Sequence, residues 1–130
     1  KNIIFPEDAV VLRNQKRKTV QIKEVRKQDV IYDVGPRTIS KIKKEISRAK
    51  FILWNGPLGY VEGGYGKGTK ETVQALILSK AKIVAGGGDT IAFLEKHKSA
   101  GKRFFISTAG GALLAFLSRG VLPGIEALEK

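Results

Sequence analysis

Cysteine is absent from the sequence, so there is no disulfide framework and no thiolate metal site, a composition that suits the cytoplasm. There is a single histidine, His97, which makes a multi-histidine metal centre or a Ser-His-Asp triad of the usual kind hard to build. On its lysine-rich predicted helix, His97 reads as a solvated side chain. No apolar run is long enough to cross a bilayer, and no signal peptide or lipidation motif follows Lys1. The chain runs at once into Ile3-Ile4, which reads as a piece cut from something longer.

Acidic residues are scarce, 12 against 24 Lys and Arg, and the imbalance is uneven. Residues 1–50 hold 14 basic and 6 acidic groups, whereas residues 51–130 hold 10 and 6. A basic surface concentrates any polyanion, nucleotide, sugar phosphate or RNA, without choosing among them. The densest cluster, Arg13-Asn14-Gln15-Lys16-Arg17-Lys18, lies between two β-like runs and has no interleaved aromatic to stack bases, so it reads as a solvated hairpin tip. The 130 residues fit one domain, and a chain of that length buries about two thirds of its unfolded surface.

Residues 9–12 and 19–25 read as two strands of an antiparallel hairpin, the second with clean alternation. From residue 30 the pattern becomes strand, loop, helix, four times over. The predicted strands are 30–34, 51–54, 82–85 and 103–107, and the helices after them carry apolar residues at helical spacing, such as Ile39, Ile42, Ile46 and Ala49. The helix after the second strand is predicted at 69–79, the next ends near 99, and a short last helix follows Leu122-Pro123-Gly124. The expected fold class is α/β: a parallel, Rossmann-like three-layer sheet with helices on both faces over residues 30–130, preceded by a small β-hairpin over 1–29.

In such sheets ligands bind beyond the carboxyl ends of the strands, and every glycine cluster here falls at such an end. The central stretch is Ala85-Gly86-Gly87-Gly88-Asp89-Thr90-Ile91, a strand leading through three glycines into an Asp-Thr pair that opens a helix. Free N–H groups at a helix start receive phosphate, and an aspartate among them calls for a divalent cation between. The plainer reading is a tight turn with Asp89 as a helix N-cap. Three loops, 54–68, 86–90 and 107–111, are expected to open on one rim, which favours a phosphate-rich ligand. None is a P-loop, since Gly66-Lys67 is followed by Gly68 and Gly101-Lys102 by Arg103, and the glycines at 63, 64, 66 and 68 miss the dinucleotide fingerprint.

Taken in order, Trp54-Asn55-Gly56-Pro57-Leu58-Gly59 with Glu62, Gly66-Lys67-Gly68-Thr69-Lys70, Gly86-Gly87-Gly88-Asp89-Thr90 and Ser107-Thr108-Ala109-Gly110-Gly111-Ala112 resemble the phosphoglycerate kinase family. Asp33-Val34-Gly35-Pro36-Arg37-Thr38 and residues 121–128 look like family segments too, so the likeness runs over nearly the whole chain. It corresponds to the later part of the C-terminal, nucleotide-binding domain. The resemblance implies reversible phosphoryl transfer from 1,3-bisphosphoglycerate to Mg-ADP, giving 3-phosphoglycerate and ATP in glycolysis, in a cytoplasmic and usually monomeric enzyme. It implies that Asp89 holds Mg2+ and that Gly87, Gly88 and Thr90 meet the nucleotide phosphates. Glu62 would accept hydrogen bonds from the ribose, and Asn55 and Pro57 would line the nucleotide cleft. Thr108, Ala109, Gly110 and Gly111 would present backbone donors where the phosphoryl group passes.

The chain also departs from the family pattern. Ala109, Leu113 and Ala115 stand where glycine, serine and glutamate are usual, and the stretch from Glu62 to Thr69 is about one residue short, with glycines in place of bulkier residues. The substrate-binding N-terminal domain and the early strands of the C-terminal domain are not represented, so an exposed sheet edge or apolar face is expected and catalysis by this chain alone is not. A non-catalytic nucleotide-binding module is the alternative reading. A basic RNA-associated protein is the less favoured one.

Overall fold

The computed structural model describes residues 3–96 and 104–128. His97, the predicted helix end at 99 and the first predicted residue of the last strand, Arg103, lie outside them. The chain forms two compact units, Lys1–Lys50 with Pro57–Ala81, and Phe51–Gly56 with Lys82–Lys130.

In the first unit β1 (Asp8–Arg13), β2 (Lys16–Gln21) and β3 (Val30–Val34) form an antiparallel sheet in the order β2-β1-β3. The expected hairpin is present, closed by Asn14 and Gln15 at φ 50° and 59°, the backbone that a two-residue hairpin loop requires. Its second strand lies earlier than the predicted 19–25. The tight turn pairs Arg13 with Lys16 and the ladder ends at Asp8–Gln21, where β1 itself begins, so residues Ile22–Glu24 turn off as a 3-10 segment. The larger difference is β3, which the sequence places first in the parallel sheet. It pairs antiparallel with β1 instead, from Ala9–Val34 to Leu12–Val30 across an irregularity at Val10/Val11. The turn before it is held by Asp29, which receives Arg13 Nε and Nη2 (2.8 and 2.6 Å) and the Arg26 N–H (2.8 Å), and this brings the chain back onto β1.

Two helices complete this unit, α1 (Pro36–Arg48) and α2 (Lys67–Leu78), and each starts against a buried carboxylate. Proline at the first helical position needs no N–H acceptor, and Asp8 takes the next two, from Arg37 (2.9 Å) and Thr38 (2.8 Å). Burial pushes the Asp8 carboxyl up, but these donors and the Thr38 hydroxyl outweigh it and leave it below the ordinary value. Asp33 receives the Gly68 N–H (2.9 Å) at the start of α2 and is raised by burial. Ile39 and Ile46 of α1 join Ala9, Val11, Val73 and Leu76 in the core, and Lys43 on α1 pairs with Glu71 on α2 at 2.6 Å.

The second unit is the expected α/β layer. Strands β4 (Phe51–Asn55), β5 (Lys82–Gly86) and β6 (Phe104–Ser107) run parallel in the order β4-β5-β6, with α3 (Gly88–Lys96), α4 (Gly110–Arg119) and α5 (Pro123–Leu128) following in the chain. Trp54, Ile83, Ala85, Phe93 and Leu94 are its buried apolar side chains. Among the described residues the other side of the sheet is left open: Leu53, Val84 and Phe105 are cross-strand partners in one row, and Leu53 and Phe105 are exposed, as is Phe51.

Candidate functional site

Register puts the three strand ends of the second unit on one level. Asn55 is the partner of Gly86, and Gly86 is the partner of Ser107, so the loops after β4, β5 and β6 leave the sheet side by side. The rim expected from the glycine clusters therefore exists for 55–56, 86–90 and 107–111, while residues 57–66 belong to the first unit.

Two glycines shape this rim. Gly87 sits at φ 91°, turning β5 sharply into α3, a conformation that side chains disfavour. Gly110, at the start of α4, lies so close that a Cβ there would be 2.6 Å from Gly87 Cα and 2.7 Å from Gly87 N. Backbone thus meets backbone, and the first turns of α3 and α4 open beside each other. The Asn55 carboxamide oxygen stands at the same place, 3.0 Å from the Cβ positions of Gly86 and Gly110 and 3.2 Å from that of Gly87. The Gly56 N–H donates to Thr90 Oγ1 at 2.9 Å, and Trp54 Nε1 donates to the Gly56 carbonyl at 2.7 Å, so the end of β4 is tied to the start of α3.

Electrostatically the rim is a pair of helix N-termini: i→i−4 bonding is in place from Ile91 to Gly87 and from Leu113 to Ala109, and the N–H groups that precede them, at Gly88, Asp89 and Thr90 and at Gly110, Gly111 and Ala112, are those a helix start leaves without such a partner. Asp89 is an exposed carboxylate in the first turn of α3. Among the described residues no cluster of three acidic, histidine or cysteine groups could hold a metal alone. A lone carboxylate fits Mg2+ that arrives already bound to phosphate oxygens, because that ion keeps water and substrate ligands rather than a protein cage.

A family model described as phosphoglycerate kinase matches residues 1–119. This chain belongs to the phosphoglycerate kinase family. The phosphoglycerate kinase of Wigglesworthia glossinidia brevipalpis is 38% identical over 135 aligned positions, which take in 100% of this chain and 34% of that protein. The phosphoglycerate kinase structure from Coxiella burnetii superposes with a TM-score of 0.81 at 36% identity, over 97% of this chain and 33% of its own. That of Pyrococcus horikoshii gives 0.79 at 34%, over 95% and 32%. The chain thus spans about a third of the length of these phosphoglycerate kinases.

The structure brings together Asn55, Gly87, Gly88, Asp89, Thr108, Ala109, Gly110 and Gly111 at the rim of the second unit. Thr90 is also there but fully buried, its hydroxyl occupied by Gly56, so its side chain braces the loop from behind. Pro57 and Glu62 lie in the first unit, Pro57 half-buried and Glu62 exposed on the turn 61–64. Sequence reasoning missed the helix-start carboxylates Asp8 and Asp33. Asp33 stood in a segment recognised as family-like, but its contact with Gly68 lies 35 residues away and left no local signal.

Proposed function

We propose that this chain supplies part of the ADP/ATP site of a phosphoglycerate kinase, which moves a phosphoryl group reversibly between 1,3-bisphosphoglycerate and Mg-ADP, giving 3-phosphoglycerate and ATP in cytoplasmic glycolysis. In this reading the 130 residues are the later part of the C-terminal nucleotide-binding domain, and polypeptide outside them holds the phosphoglycerate. The observation that carries it is the backbone approach of Gly110 to Gly87, which sets two helix N-termini at one strand-end rim beside Asn55.

The chemistry follows from those positions. Gly87 and Gly88 leave the phosphates free of side chains, and the α3 N–H groups bind their oxygens. Asp89 would hold Mg2+, which would supply neutralisation of the phosphate charge. Thr108, Ala109, Gly110 and Gly111 aim backbone donors at the group in transit, where charge develops in the transition state. Ala109, at φ −97°, fills its position without the left-handed backbone that would demand glycine. Asn55 steadies the phosphate end through its carboxamide. Pro57 lines the cleft and Glu62 accepts from the ribose hydroxyls, roles that rest on the family pattern alone.

Calorimetric titration with ADP, with and without Mg2+ at fixed ionic strength, tests the reading. Binding is expected to require Mg2+ and to lose that requirement in Asp89→Ala. Magnesium dependence unchanged by Asp89→Ala would remove the assigned role.

A further inference from the structure

Arg17 comes from the basic hairpin cluster and is exposed, yet its guanidinium is engaged within the chain. It lies over the Tyr65 ring, 4.0 Å from the centroid, and Nη2 donates to the Gly64 carbonyl at 3.2 Å. Below Tyr65 lies Tyr32, stacked at 4.3 Å and 17°, and Tyr60 stacks on the same Tyr32 at 5.9 Å and 24°. The backbone closes around this stack, with the Tyr60 N–H donating to the Tyr32 carbonyl (2.7 Å), Tyr65 to Tyr60 (2.9 Å) and Gly64 to Val61 (3.0 Å). The turn so enclosed has Glu62 near its tip. It also contains Gly63 and Gly64, residues that make a free loop costly to order.

We propose that Arg17 is a positioning residue for Glu62: by capping Tyr65 and binding the Gly64 carbonyl, it orders the glycine-rich turn so that the Glu62 carboxylate is presented in one place to the ribose hydroxyls. The inference rests on the proposed nucleotide reading for its ligand, and on the geometry alone for its clamp. An arginine is suited to this because its planar group lies flat on the ring and donates from its edge at once, whereas the point-like ammonium of lysine cannot do both in the same geometry.

The test has two readouts on the 130-residue chain. The first is amide hydrogen exchange, with no ligand present. Arg17→Ala is expected to speed exchange across residues 61–66 and to leave α3 and α4 unchanged, with Arg17→Lys doing nearly the same. The second is titration with Mg-ADP and with its 2′,3′-dideoxy analogue. Arg17→Ala and Arg17→Lys are expected to weaken ADP about three- to tenfold and the analogue hardly at all, and Arg17→Ala is expected to be silent in a Glu62→Ala background. Equal loss for ADP and analogue, full recovery by lysine, or unchanged exchange would each overturn the clamp. Failure of wild type to bind Mg-ADP, or a Glu62→Ala variant with wild-type affinity, would instead overturn the nucleotide reading or Glu62's part in it, and the exchange readout would still judge the clamp.

Discussion

Three aspartates in the first unit carry shifted protons, and their signs differ. Asp29, bonded by Arg13 and by the Arg26 N–H, is lowered to about 2, and Asp8 is lowered as well, while burial raises Asp33. A carboxyl lowered by folding adds stability that is complete above its unfolded value and is lost as pH falls through the folded one. The Asp29 contribution is therefore complete above about pH 4 and lost toward about pH 2. Asp33 acts oppositely: stability falls as pH rises from its unfolded value, 3.8, through its higher folded one. Denaturant midpoints measured at pH 5, 4, 3 and 2 should show a shallower acid decline for Asp29→Asn than for wild type. Equal declines would mean the Arg13–Asp29 pair does not carry that dependence. The same residues mark the limit of sequence reading. Glycine, proline and Asp-Thr at helix starts are local signals, while the partners of Asp8 and Asp29 are not, because Thr38 and Arg13 stand 30 and 16 residues away.

Helices and parallel strands were legible because their apolar residues repeat within one element, as Ile39 and Ile46 do on α1. The partner of a strand is a different matter. Val30–Val34 has the same composition whether it joins a parallel or an antiparallel ladder, and the Asp29 turn decides. The charged stretch opening β2 was likewise read as loop, although charge on an edge strand is what keeps such an edge from pairing further. At this scale the joint between α3 and α4 is the test. In Gly110→Ala the new methyl would fall 2.6 Å from Gly87 Cα, so one helix start must move away from the other. We expect a stability loss of about 1–3 kcal/mol and an ADP affinity reduced more than tenfold. Gly111→Ala, where a Cβ meets nothing within 4 Å, should leave stability nearly unchanged. Loss of affinity equal in both variants would detach binding from this joint.

Over the whole molecule the formal charge of +12 remains the largest unspecific force. Both arginines of the densest basic cluster are engaged within the chain, Arg13 by Asp29 and Arg17 by Tyr65 and Gly64, which weakens the case for an RNA surface there. Among the described residues no helix is long and apolar enough to cross a membrane. Retention on a polyanion such as heparin is expected, and it should fall steeply with salt and ignore magnesium. Mg-ADP binding should persist at salt concentrations that release heparin. If the two vanish together, the nucleotide affinity is diffuse charge.

The alignment of Asn55, Gly86 and Ser107 has an evolutionary consequence. A strand advances about 3.3 Å per residue and reverses its side chains at each step. Adding or deleting one residue within β4, β5 or β6 would lift one rim loop out of line and turn a buried face outward. A substitution inside these strands is therefore expected to cost less than a one-residue insertion or deletion there, which would shift the register of the rim.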